Sequence, residues 1–281
     1  MTREGALAWC GVEGDRCGHG GCTSPGWRCA MPEYQQLRDN QWLTSSGRTE
    51  LGRSLYADLL QGFQFSVCQT PEAFEAALDV RRRVYKGSCG YDVPVPDGYD
   101  HRSWLLLAEN AASAEPVGTM RVTPRSAGRL EAEEYFSLPP RLRSPRTVEM
   151  SRFAIVPGRP KLDRLPTAVS LGLFKLMMRF VTERLGAAHV VMCAREERIW
   201  TFEWLRFQRT GIVARYAILG NVEHELLTMD LGNRLHDRGD LGLAEFLFDT
   251  EHPEIKLPAI QPGLGPTVET MGQSFLLAMS A

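Results

Sequence analysis

Pro166 and Gly186 bracket a helical stretch whose only strongly polar face is Lys175, Arg179, Thr182 and Glu183. A helix so apolar around its circumference has to be buried, so the rest of the chain must supply the layer that covers it. The flanking segments read as that layer. Phe63 to Cys68 alternates apolar and polar residues as a strand does, and Thr70-Pro71-Glu72-Ala73 supplies an N-cap, a first-turn proline and a first-turn acid for a helix predicted to run to about Tyr85. Trp104 to Ala108 and Val117 to Val122 flank the turn-like stretch from Asn110 to Pro116 and predict an antiparallel hairpin. Further strands are expected at Thr147 to Val156 and His189 to Cys193, a helix from Arg195 to Phe207, and a last hairpin from Ile212 to Leu219 and His224 to Asp230. This order predicts an α+β fold, a mixed and mostly antiparallel sheet flanked by helices.

Three regions follow: a Cys/Gly-rich leader over 1–62, the mixed domain over 63–231, and a C-terminal extension over 232–281 that reads as decoration, with one short apolar helix from Leu241 to Phe248. With 32 Lys+Arg against 34 Asp+Glu, a net charge of −2 argues against a nucleic-acid groove or a polybasic membrane anchor, both of which need clustered positive charge. No stretch reaches the roughly 18 uninterrupted apolar residues of a spanning helix, and the N-terminus lacks the apolar core of a signal peptide. The expected location is the cytoplasm.

The leader holds Cys10, Cys17, Cys22 and Cys29 with His19 between them. Four thiolates are a possible zinc set, but the spacing lacks the Cys-x2-Cys knuckle that puts two ligands on one tight turn. The reading is therefore a flexible leader with no metal site, the four cysteines being a weak zinc candidate and a start codon nearer Met31 a further alternative. Cys68, Cys89 and Cys193 read as inert thiols.

The informative feature is charge in apolar places. The predicted first helix buries Phe74, Ala77 and Leu78, and the same stripe continues through Arg81 to Tyr85. Asp97 and Asp100 follow in a Pro/Gly loop, Arg121 sits in a strand, and Glu149 and Arg152 sit in another. A lone buried charge costs several kcal/mol, so these residues predict one neutralising network, the competing reading being separate surface ion pairs.

The ordered segments Val80-Arg-Arg-Arg-Val-Tyr85, Tyr91, Asp97-Gly-Tyr-Asp100, Val117-Gly-Thr-Met-Arg121, Tyr135-Phe136 and Val148-Glu-Met-Ser-Arg-Phe153 resemble the acyl-homoserine-lactone (autoinducer) synthases and their relatives, the N-acyl amino acid synthases. Both are GNAT-fold acyltransferases, and the resemblance covers residues 63 to 231. The autoinducer branch usually has Trp where Tyr91 and Val148 stand, and Arg-Leu-Leu-Pro-Thr where Arg121-Val-Thr-Pro-Arg125 stands. The resemblance implies N-acylation without a cofactor: a fatty acyl group passes from acyl carrier protein to the amine of S-adenosylmethionine, giving an autoinducer for quorum sensing. The alternatives are a free amino acid as acceptor, or an idle lipid- or carrier-binding module. It implies Glu149, Arg152 and Ser151 as the catalytic group. Arg81, Tyr85, Tyr91, Asp97, Asp100, Arg121, Phe136 and Phe153 would bind substrate, with the two aspartates holding the acceptor's positive end and Arg81 and Arg121 tying their loop to the sheet.

The remaining expectations come from the residues themselves. An ammonium has no lone pair, so a base is needed, and Glu149 fits. Residues three apart on a regular strand face opposite ways, so a bulge near Met150 or Ser151 is predicted to bring Glu149 and Arg152 together. A backbone N–H near Phe153 would receive the oxyanion. Neither a G-x-S-x-G elbow nor a Cys/His pair is present, which fits direct attack without a covalent intermediate. Met120, Met150, Leu173, Met177 and Met178 are candidate walls for the acyl chain, though such a stripe is more often core, and Tyr91 and Trp104 are candidate stacking rings. The wider fold family's glycine-rich pyrophosphate loop is missing at Pro157-Gly-Arg-Pro-Lys161. By the family resemblance, that favours acyl carrier protein over acyl-CoA as donor, and the basic residues Arg159, Lys161 and Arg164 would suit docking of an acidic carrier protein, the competing reading being a solvated loop.

Overall fold

The computed structural model describes residues 59–157, 167–232 and 241–259. An eight-stranded sheet runs in the order β6-β7-β5-β4-β3-β2-β1-β8, with β1 at Phe63–Val67, β2 at Trp104–Asn110, β3 at Pro116–Pro124, β4 at Thr147–Ile155, β5 at His189–Ala194, β6 at Gln208–Tyr216, β7 at Val222–Asp230 and β8 at Ile255–Lys256. Only β4–β5 and β1–β8 pair in parallel; every other pairing is antiparallel. The helices are α1 (Pro71–Arg82), α2 (Ala132–Tyr135), α3 (Ala168–Arg179), α4 (Glu196–Trp204) and α5 (Leu241–Ala244). The expected α+β architecture is the observed one.

Alternation along β2 shows how the two layers divide. Leu105 and Leu107 pack with Phe74, Ala77 and Leu78 of α1, whereas Trp104, Leu106 and Ala108 join the main core with Leu173, Phe174 and Met177 of α3. Thr70 caps α1 by accepting the Ala73 N–H at 3.3 Å. The helix ends at Arg82 and passes into a wider, π-type turn over Arg83–Cys89 that closes at the left-handed Gly90, so the chain stays helical beyond the predicted end. As its composition demands, α3 is buried from Val169 through Met178, Lys175 included.

Two expectations are corrected here. The C-terminal segment is not decoration: Leu243, Phe246 and Leu247 enter the core, Ile255 pairs with Phe65 at the sheet edge, and the Lys175 Nζ donates to the Phe246 and Thr250 carbonyls. A buried ammonium needs acceptors, and this segment provides them. Cys89 is disulfide-bonded, while Cys68 and Cys193 are free. No helix among the described residues is long and apolar enough to cross a membrane. Cys10, Cys17, Cys22, Cys29, Arg159, Lys161 and Arg164 lie outside the described residues, and within these no group of three His, Cys, Asp or Glu is placed to hold a metal.

Candidate active site

A break in sheet pairing makes the site. β4 and β5 pair through Thr147–Glu149 and His189–Val191 and then part, and a cavity of about 140 Å³ opens between them. Glu149 and Met150–Phe153 form one wall and Met192–Ala194 the other, with Arg195, which precedes α4, and Arg198 and Phe202 of α4 also lining it. Tyr85 and Tyr91 enter from the end of α1, and Tyr216 and His224 from the last hairpin.

The predicted bulge is present, one residue beyond its expected place. Thr119 pairs with Ala154 and Arg121 with Ser151, so Arg152 and Phe153 together oppose Met120. Arg152 adopts φ +51°, a left-handed conformation that costs a non-glycine residue on the order of 1–3 kcal/mol and persists only where the surroundings impose it. Its consequence is chemical: Arg152 turns toward the cavity that Glu149 and Ser151 already line.

Beside the cavity the charged residues form one network. Arg81 donates through Nη1 to Asp100 Oδ1 at 2.6 Å and through Nη2 to Asp97 Oδ2 at 3.0 Å. Arg121 reaches Asp97 at 2.5 Å, Asp100 at 3.3 Å, the Ser151 hydroxyl at 3.0 Å, and Glu131. Arg152 donates to Asp97 at 2.8 Å and to Glu131 at 2.6 Å. Asp100 accepts the Asp97 N–H at 2.7 Å, and Asp97 in turn accepts the Tyr99 N–H at 2.9 Å, a local turn that hands both carboxylates to the arginines. Burial works against ionisation of Asp97, but Arg121, Arg152 and Arg81 outweigh it and hold the carboxyl well below its usual range.

Glu149 stands apart from that network. Its Oε2 accepts the Ala132 N–H at 3.2 Å. Burial, followed by the neighbouring Glu131 charge, pushes its carboxyl up to about 7. A carboxylate poised near neutral pH in a cavity has the properties of a general base.

The sequence-predicted residues divide accordingly. Glu149, Ser151, Arg152, Phe153, Tyr85 and Tyr91 line the cavity. Arg81, Asp97, Asp100 and Arg121 do not line it: Asp100 is fully buried and saturated by Arg81, Arg121 and a backbone N–H, so it cannot meet an acceptor's cation. Through these bonds Arg81 links the aspartate loop to α1 and Arg121 links it to β3. Phe136 packs behind Tyr216, with ring centroids 5.9 Å apart, instead of entering the cavity. Of the candidate acyl walls only Met150 lines it; Met120, Leu173, Met177 and Met178 are core, and Trp104 packs edge-on against Phe180 at 5.6 Å. Cavity residues that the sequence reading did not single out include Glu131, Met192, Cys193 and Tyr216. Glu131 is hidden in the acid-rich run Glu131-Ala-Glu-Glu134, which reads as a solvated surface.

A model of the N-acyl amino acid synthase FeeM matches residues 76–230, more than half of the chain and every element that builds the cavity. The chain belongs to the FeeM N-acyl amino acid synthase family. It is an acyltransferase, and its sheet and helices are those of a GNAT-like fold. Similar solved structures include BjaI, a CoA-dependent acyl-homoserine lactone synthase solved with SAM and isopentyl-CoA (19% identity, 76% of this chain and 100% of that one, TM-score 0.48). FeeM from uncultured soil microbes is another (15%, 66% and 97%, TM-score 0.46), as is the AHL synthase LasI (18%, 60% and 89%, TM-score 0.44). No curated protein sequence matches the chain.

Proposed function

We propose that this acyltransferase joins a fatty acyl group, carried as a thioester on acyl carrier protein, to the α-amine of a free amino acid. The family match across residues 76–230 carries the choice of acceptor, and Glu149 in the cavity supplies the chemistry. Glu149 takes a proton from the bound ammonium, and the freed lone pair attacks the thioester carbonyl. Backbone N–H groups on the unpaired edges of β4 and β5 are candidates to receive the oxyanion, since a tetrahedral intermediate needs donors where charge develops. As the adduct collapses, its remaining surplus N–H proton goes to the departing thiolate, and Glu149 returns its own proton to water.

Cys193 lines the same cavity, but burial raises its thiol well above the usual value and the Tyr216 hydroxyl donates to its sulfur at 3.3 Å. A thiol held neutral is a poor nucleophile, which supports direct attack over an acyl-enzyme. The carrier protein as donor rests on the sequence of residues 157–161, which lacks a pyrophosphate loop. The resemblance of the ordered set Arg81, Asp97, Asp100, Arg121, Glu149 and Arg152 to the autoinducer synthases supports S-adenosylmethionine as a second reading for the acceptor.

The test is acyl transfer by the purified full chain from acyl-acyl carrier protein to an equimolar mixture of amino acids and S-adenosylmethionine, read by mass spectrometry. N-acyl amino acids are the expected product, with intersecting double-reciprocal plots. Acyl-homoserine lactone as the main product overturns the acceptor, and parallel plots overturn direct attack.

A further inference from the structure

The buried network holds three guanidinium groups, Arg81, Arg121 and Arg152, and three carboxylates bonded to them, Asp97, Asp100 and Glu131. Charge therefore balances before Glu149 is counted, and an ionised Glu149 is a fourth anion beside three cations already engaged. Glu131 is the member that makes this so. It is 2% exposed, one oxygen accepts Arg152 Nη2 at 2.6 Å and the other accepts Arg121 Nη2, and the next residue's N–H meets Glu149. Two consecutive residues thus hold the cations and Glu149 in place together.

We propose that Glu131 is the positioning residue of this active site, clamping Arg121 and Arg152 away from Glu149 while its chain neighbour Ala132 fixes the Glu149 carboxyl. The inference deepens the reading of Glu149 as the base and rests on it. Were either guanidinium released to Glu149, the carboxylate would become an ordinary ion-paired one and lose basicity. The electrostatics agree: burial first and Glu131 second raise Glu149, against Arg121, the Ala132 N–H and Arg152. The other ionisable groups around the cavity leave this assignment standing. Cys193 on β5, Tyr216 on β6 and Tyr85 beyond α1 are kept protonated by burial. Asp97 is committed to arginines, His224 on β7 is lowered by burial toward neutrality, and Arg195 and Arg198 stand at the α4 end.

The experiment is an infrared titration of the protonated-carboxyl band in the intact full chain, with Glu149→Gln identifying the band. In the wild type a midpoint near 7 is expected. Glu131→Gln should lower it by at least about one pH unit, because Glu149 becomes the third anion of the balanced set. Arg152→Gln should raise it by a similar step, giving a second reading in the opposite direction if the first variant fails to fold. A midpoint that stays put in the variant that folds overturns the proposal, as does a shift of the opposite sign. The acid limb of kcat/KM is followed in parallel. A band that moves while the limb does not leaves Glu131 as the residue that sets Glu149 and removes Glu149 as the base, so the two claims fail separately.

Discussion

At the residue scale, the burial of Glu149 costs stability above neutral pH. Its carboxyl lies near 7 in the folded chain against 4.5 for an ordinary glutamate, because burial and Glu131 oppose its ionisation. Between those values the folded state binds more protons than the unfolded one, so unfolding free energy falls as pH rises from about 4.5 to 7. Glu149→Gln removes that loss. The variant is expected to be more stable than the wild type at pH 8, on the order of 3 kcal/mol in urea unfolding, with little difference at pH 4.5. Equal stability at both pH values would contradict the environment described for Glu149. The same residue scale shows what the sequence made legible. Arg81 betrayed itself by interrupting an apolar stripe, and Arg121, Glu149 and Arg152 by standing in strands. Glu131 carried no such mark, since burial of one acid among three is decided by how residues 125–146 fold over the sheet. That Asp97 and Asp100 join one charge network was legible from the sequence, but which arginines bond each of them was not, because those distances are not encoded in spacing.

The elements owe their positions to a few close approaches. Gly172 in α3 lets the helix settle on the ring of Phe65 in β1, where an added Cβ would stand 2.1 Å from Cζ. Gly172→Ala gains roughly 1 kcal/mol of helix propensity but forces the ring or the helix to move, at about 1–3 kcal/mol for overpacking. A net loss in thermal unfolding temperature is expected, and a gain would show that the contact is slack. The strands and helices of 63–230 were readable because their periodicities are long and clean, with helix ends blurred where α1 and α3 relax into wider turns. β8 was not readable: two residues between Pro253 and Pro258 carry no periodicity, and only the exposed edge of β1 makes them a strand. The bulge at Arg152 was anticipated from a conflict, since Glu149 and Arg152 were wanted on one side and a regular strand would have separated them.

For the whole molecule, the sheet is continuous at its edges and divided near its middle. α1 and α3 close opposite faces, the segment 241–259 completes the core beside α3, and the parting of β4 from β5 leaves a small chamber with one carboxylate near neutrality. We propose Glu149 as the base of an N-acyl transfer, a reading that its cavity, its burial and the balanced charges beside it support. The direct measurement is mass spectrometry of lipid extracts from a bacterial host that makes either the wild-type chain or Glu149→Gln at matched soluble levels, with its carrier protein supplied. N-acyl amino acids are expected with the wild type and should fall by about 10²-fold or more in the variant. Equal amounts of N-acyl amino acid from both chains would contradict the account.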